Sequence, residues 1–175
     1  MYALRVVPLA ILTVVVVGCN ERLATSRPPA DPPPFPEGVQ AYVQIDDDRA
    51  RPGDRVRVFV KVRFGAEHGA RLGSYTGRLR FDPRALRWHD HAPIRDGLRA
   101  VNPSGAAAGE IRFAGASAGG FEEPVLYVGE FEVLRRNYVR GLRLEVEELA
   151  AALSLADLRP DLEVAPRVFV RPPAD

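Results

Sequence analysis

The 175-residue chain has one cysteine, one methionine, one tryptophan and three histidines, and Lys61 is its single lysine. One cysteine excludes an internal disulfide framework and a cysteine-built zinc site. His68, His89 and His91 leave little material for metal ligation or general-base chemistry. Long apolar runs are scarce as well. The single one, Val6 to Val17, has 12 residues, short of the roughly 20 that a helix needs to cross a bilayer. An excess of charge of one sign is also missing, with 24 Lys and Arg against 23 Asp and Glu. That balance gives no electrostatic case for a nucleic-acid partner.

What is present at the N-terminus has a definite layout. One basic residue, Arg5, precedes the apolar run, which ends in Gly18-Cys19. A charged start, a short apolar stretch and a small residue form a secretory signal pattern. Val16-Val17-Gly18-Cys19 resembles the bacterial lipobox. That resemblance implies a signal peptide over 1–18, lipidation of Cys19 and attachment to the membrane through the lipid. Asn20 stands where inner-membrane retention signals usually have Asp, which implies the outer membrane or the cell surface. Residues 19–40 are rich in proline and poor in large apolar residues, and read as a tether. Residues 41–171 then suit one domain.

That domain alternates in the manner of strands. Val56, Val58, Val60, Val62 and Phe64 fall on one side of Arg55 to Phe64, and Arg55, Arg57, Lys61 and Arg63 on the other. Period two over ten residues predicts a half-buried strand. Arg51-Pro52-Gly53-Asp54 predicts a turn separating it from a first strand at 41–45. Tyr75 to Phe81 alternates again, with Tyr75, Leu79 and Phe81 inward and Thr76, Arg78 and Arg80 outward. Further strands are expected at 85–89, 110–114, 125–134, 140–148 and 162–170. About eight or nine short strands predict an all-β, antiparallel, jelly-roll-like sandwich. Glu147 to Leu158 is rich in Ala and Leu and reads either as a short helix near 148–158 or as a strand end followed by a loop.

Several short motifs invite chemistry. Gly115-Ala116-Ser117-Ala118-Gly119 matches G-x-S-x-G, but a nucleophile elbow needs a helix after its serine. Here Gly119-Gly120-Phe121-Glu122-Glu123-Pro124 follows, and no catalytic residue is assigned. His89 and His91, at i and i+2 on a strand, would share a face, yet nothing nearby completes a coordination set. Asp46-Asp47-Asp48 lacks the glycine and distal glutamate of an EF-hand loop. Glu147 and Glu148 are adjacent and so expected on opposite faces of a strand. No metal and no cofactor is expected, and the chain is read as non-enzymatic.

The order of the landmarks resembles the cohesin family. A Pro-Gly-Asp turn precedes a Val-rich strand, a Tyr/Gly strand closes in Phe81-Asp82-Pro83-x-x-Leu86, Phe113-Ala114 leads into a small-residue loop, and Gly129-Glu130-Phe131-Glu132-Val133 follows. The resemblance spans about 41–171 and implies a sandwich that docks a protein partner, such as a dockerin, through one sheet face. Carried onto this sequence, the partner-binding face comprises Ser74, Thr76, Arg78, Arg80 and Arg112. Its arginine content implies a partner with acidic groups, while a merely solvated outer face is the alternative. Cohesins share their sandwich with carbohydrate-binding modules, so a polysaccharide ligand, or a structural part in an envelope complex, remains a second expectation.

Overall fold

In the computed structural model, residues 38–66, 68–122 and 125–171 are described. The signal, Cys19 and the tether up to residue 37 lie outside them. Ten strands run in order β1 (Val39–Ile45), β2 (Arg55–Phe64), β3 (Leu72–Arg80), β4 (Leu86–His91), β5 (Leu98–Asn102), β6 (Glu110–Ala116), β7 (Val125–Val133), β8 (Arg143–Ala151), β9 (Leu162–Val164) and β10 (Phe169–Val170). One sheet has the order β10-β1-β2-β7-β4, with β9 also paired to β1, and the other is β5-β6-β3-β8. All pairings are antiparallel except those of β9 and β10, which run parallel to β1. The protein is an all-β sandwich.

The alternation of β2 works as its sequence dictates. Val56, Val58, Val60 and Val62 are buried and face Tyr75, Leu79, Ile111, Phe113 and Leu149 of the other sheet within one apolar core. Burying side chains of this size contributes roughly 1.5–3 kcal/mol each. The turn at 51–54 is fixed locally: Gly53 takes a φ of 96°, which glycine adopts without steric cost, and the Asp54 carboxylate accepts the Arg51 N–H at 2.8 Å.

Three segments depart from the expectations. β1 begins at Val39, two residues early, and all seven of its residues are buried. The 147–158 stretch forms no helix. Its strand alternative is the observed one, since β8 continues to Ala151 and the chain turns back so that Ala150 bridges Asp157. Ala and Leu favour helix only weakly, and pairing with β3 outweighs that preference. The single strand expected over 162–170 is two short ones, β9 and β10, interrupted around Pro166, which has no N–H to give a ladder.

β5 has no counterpart among the expected strands. Its pattern is inverted, because Leu98 is 79% exposed while the Arg99 side chain is only 10% exposed. Arg99 points inward and joins the sheets. Its Nη1 donates to the Tyr75 hydroxyl and to the Val125 carbonyl, both at 2.6 Å, and its guanidinium lies 4.5 Å from the centre of the Phe121 ring. The Tyr75 hydroxyl donates in turn to Leu126 O at 2.8 Å. Burial pushes the Tyr75 phenol above its ordinary range, against the opposing pull of Arg99.

Candidate functional site

The sandwich brings all five face residues onto the outer surface of the β5-β6-β3-β8 sheet. Ser74, Thr76, Arg78 and Arg80 alternate along β3 with the inward Tyr75, Gly77 and Leu79. Arg112 of β6 lies directly opposite Arg78. Two like charges facing each other across a ladder repel, so the carboxylates around them matter.

Those carboxylates come from the strands on either side. Arg78 pairs with Glu110 at 3.7 Å and Glu145 at 3.4 Å and contacts Glu147 directly. Arg80 pairs with Glu145 at 2.7 Å and with Glu110 at 3.6 Å. Arg112 Nε donates to Glu110 Oε1 at 2.9 Å. The Arg112 hydrogen bond, followed by the fields of Arg112, Arg78 and Arg80, holds the Glu110 carboxyl below the usual carboxylate range despite some loss of hydration. The domain therefore supplies the acidic complement of these arginines itself.

A β-bulge makes this network possible. Thr76 lies opposite Glu148 and Gly77 opposite Val146, so Glu147 is the extra residue of β8. The expected placement of Glu147 and Glu148 on opposite faces fails for that reason. Both carboxylates reach the outer face, Glu147 to Arg78 and Glu148 to the Thr76 hydroxyl at 3.3 Å.

The other half of this face is largely apolar, with Glu148 and the hydroxyls of Ser74 and Thr76 as polar groups at its edge. Leu98 and Ala100 of β5, Ala114 and Ala116 of β6, and Ser74 and Thr76 of β3 border a shallow depression of about 400 Å³. Small side chains on β6 leave the floor low and Leu98 stands at its rim. The five residues named from sequence thus divide, with Ser74 and Thr76 at the depression and Arg78, Arg80 and Arg112 in the ionic half. Leu98 and Ala100 were beyond sequence reasoning, because they sit on the strand whose pattern is inverted.

The remaining motifs resolve into structure. Ser117 closes a turn: its N–H donates to Gly73 O at 2.7 Å and its hydroxyl to Gly120 O at 3.0 Å. Gly115 of the G-x-S-x-G match faces inward, where a Cβ would lie 2.5 Å from the Tyr75 ring. Its smallness serves Tyr75. β4 bulges between Trp88 and Asp90, which breaks the alternation that would align His89 with His91. Asp46 accepts the Arg57 N–H at 2.8 Å, and the Asp47 carbonyl accepts the Tyr138 hydroxyl at 2.5 Å. Among the described residues, no group of three or more His, Cys, Asp or Glu side chains could hold a metal ion.

No family model matches the sequence, and no curated protein matches it. Solved structures do match in fold. One is the sixth cohesin of scaffoldin B from Acetivibrio cellulolyticus, solved in complex with a Cel5 dockerin mutant, with a TM-score of 0.54 and 13% identity over 75% of this chain and 98% of that one. The fold is that of a cohesin. The seventh type I cohesin of ScaB from Pseudobacteroides cellulosolvens gives a TM-score of 0.53 at 16% identity, covering 79% of this chain and 97% of its own. A non-cellulosomal cohesin from the archaeon Archaeoglobus fulgidus gives 0.51 at 17% identity, covering 75% and 86%. The cohesin resemblance read from the order of short motifs therefore holds for the fold.

Proposed function

We propose that this cohesin-like domain is a non-enzymatic docking module that binds a protein partner through the outer face of β5-β6-β3-β8, and that lipidated Cys19 holds it at the outer membrane or cell surface. The observation that carries the docking reading is the apolar depression bordered by Leu98, Ala100, Ala114 and Ala116, set beside an ionic half whose charges are already paired. Buried interface cores are apolar and poor in charge, with polar residues at the rim. The partner, a dockerin or a module of similar surface, accordingly brings an apolar stripe to the depression and polar groups to the arginine–glutamate network. A partner with a strongly acidic surface would have to displace Glu110, Glu145 and Glu147.

A carbohydrate ligand has less support. Stacking platforms for sugars need exposed aromatic rings, whereas Tyr42, Tyr75, Tyr127 and Tyr138 are buried. Trp88 packs against the core and donates to the Tyr127 hydroxyl at 3.1 Å. For the anchor, the support is the Val-Val-Gly-Cys sequence and the absence of any other cysteine.

The test is capture of partners from envelope extract, then titration of the purified partner against wild type and Ala114→Arg. An arginine in the depression should weaken binding by roughly 100-fold, the scale of a lost interface centre. Unchanged affinity would place docking elsewhere. Labelled palmitate incorporated by a Cys19→Ser chain would refute the anchor.

A further inference from the structure

The opposite side of the sandwich carries a second concave feature. A cavity of about 490 Å³ lies over β2 and β7, beneath the segment that follows β4. Arg57, Lys61, Arg95 and Arg171 line it, no carboxylate does among the described residues, and Phe59 and Ile94 are among its apolar walls.

The nearby acids among the described residues have partners of their own. Asp46 pairs with Arg57 at 3.2 Å, and Glu130 on the same sheet face is taken by Arg55. Asp96, next in sequence to Arg95, faces Arg99 and accepts the Glu122 N–H. Among the described residues, neither Arg95 nor Arg171 has a carboxylate within ion-pair distance. Lys61 and Arg171 both lie over the Phe59 ring, at 5.8 and 5.4 Å from its centre. The ring is nearly buried, so a sugar cannot stack on it. Recognition in this cavity is therefore by charge.

We infer that the cavity walled by Arg57, Lys61, Arg95 and Arg171 binds a phosphate ester. A guanidinium offers a planar fork of donors that matches phosphate oxygens. A phosphomonoester carries a charge of about −1.5 to −2, which answers two free arginines better than one carboxylate does. Pro93 and Ile94 accommodate the carbon part of the ester. The same chemistry belongs to a soluble phosphate ester and to a phospholipid headgroup, and the experiment separates the two.

The full chain is held in uncharged detergent micelles in phosphate-free buffer, and its unfolding temperature is followed while glycerol 3-phosphate is added. In a parallel arm the micelles are doped with phosphatidic acid, whose headgroup is likewise a phosphomonoester. A ligand at about 100 times its dissociation constant should raise the transition by roughly 10 °C. Arg95→Gln with Arg171→Gln should remove that rise, while Arg84→Gln with Arg135→Gln, equal in charge but remote, should keep it. Both pairs are exposed, and circular dichroism confirms their folding. A rise with glycerol 3-phosphate marks a site for soluble esters, and one confined to doped micelles marks a headgroup site. No rise in either arm, or equal loss in the two double variants, overturns the inference.

Discussion

On the outer face of β5-β6-β3-β8, Arg78, Arg80 and Arg112 stand among Glu110, Glu145 and Glu147, whereas over β2 and β7 Arg95 and Arg171 line a cavity with no carboxylate among the described residues. Both regions are arginine-rich in sequence. Among the described residues, only the second leaves arginines without a carboxylate partner. Cross-strand register makes the difference, because pairing of β3 with β6 and β8 brings three glutamates within reach of its arginines. A count of basic residues along one strand therefore measures the charge present but not the charge available.

The comparison can be broken first at the core beneath the paired face. Leu79 is fully buried between Arg78 and Arg80, and Leu79→Ala should lower unfolding free energy by roughly 2–5 kcal/mol in urea titration. A loss below about 1 kcal/mol would mean that β3 does not divide core from face as described. Next in size is the contrast between the two kinds of arginine. Arg78→Ala leaves Glu145 and Glu147 facing each other without their shared cation, and should cost about 1–2 kcal/mol. Arg95→Ala should change stability by no more than about 0.5 kcal/mol. Equal effects would dissolve the distinction.

The smallest effect is a titration. Glu110 should ionise below the ordinary glutamate range when followed by carboxyl carbon NMR, and Arg112→Ala should move it back up. The sign follows from the depressed folded-state value: Glu110 stabilises the fold above its unfolded pKa, and that contribution disappears as pH falls through the lower folded value. Asp157 behaves alike at the far end of β8, held at about 2 by hydrogen bonds from the Arg159 side chain and N–H.

Much of this architecture is legible in the residues, for physical reasons that vary along the chain. β2 spans the ten residues that its alternation marks, since valines buried on one side and charges on the other admit one register. The outward positions of β3 follow in the same way from the inward Tyr75 and Leu79. β5 is not legible, because Leu98 faces solvent and Arg99 faces the core, the reverse of what period-two reading assumes. The glutamate partners of the arginines are also hidden. They depend on which residues of β6 and β8 lie opposite β3, and on the bulge that turns Glu147 outward, neither of which a single strand records.

The most direct test sets the two faces against each other with one purified partner. Its affinity is measured by calorimetry for wild type, for Ala114→Arg in the apolar depression, and for Arg95→Gln with Arg171→Gln at the basic cavity. About a 100-fold loss is expected for the first variant and wild-type affinity for the second. Binding that survives Ala114→Arg but fails with the cavity variant would contradict docking on β5-β6-β3-β8.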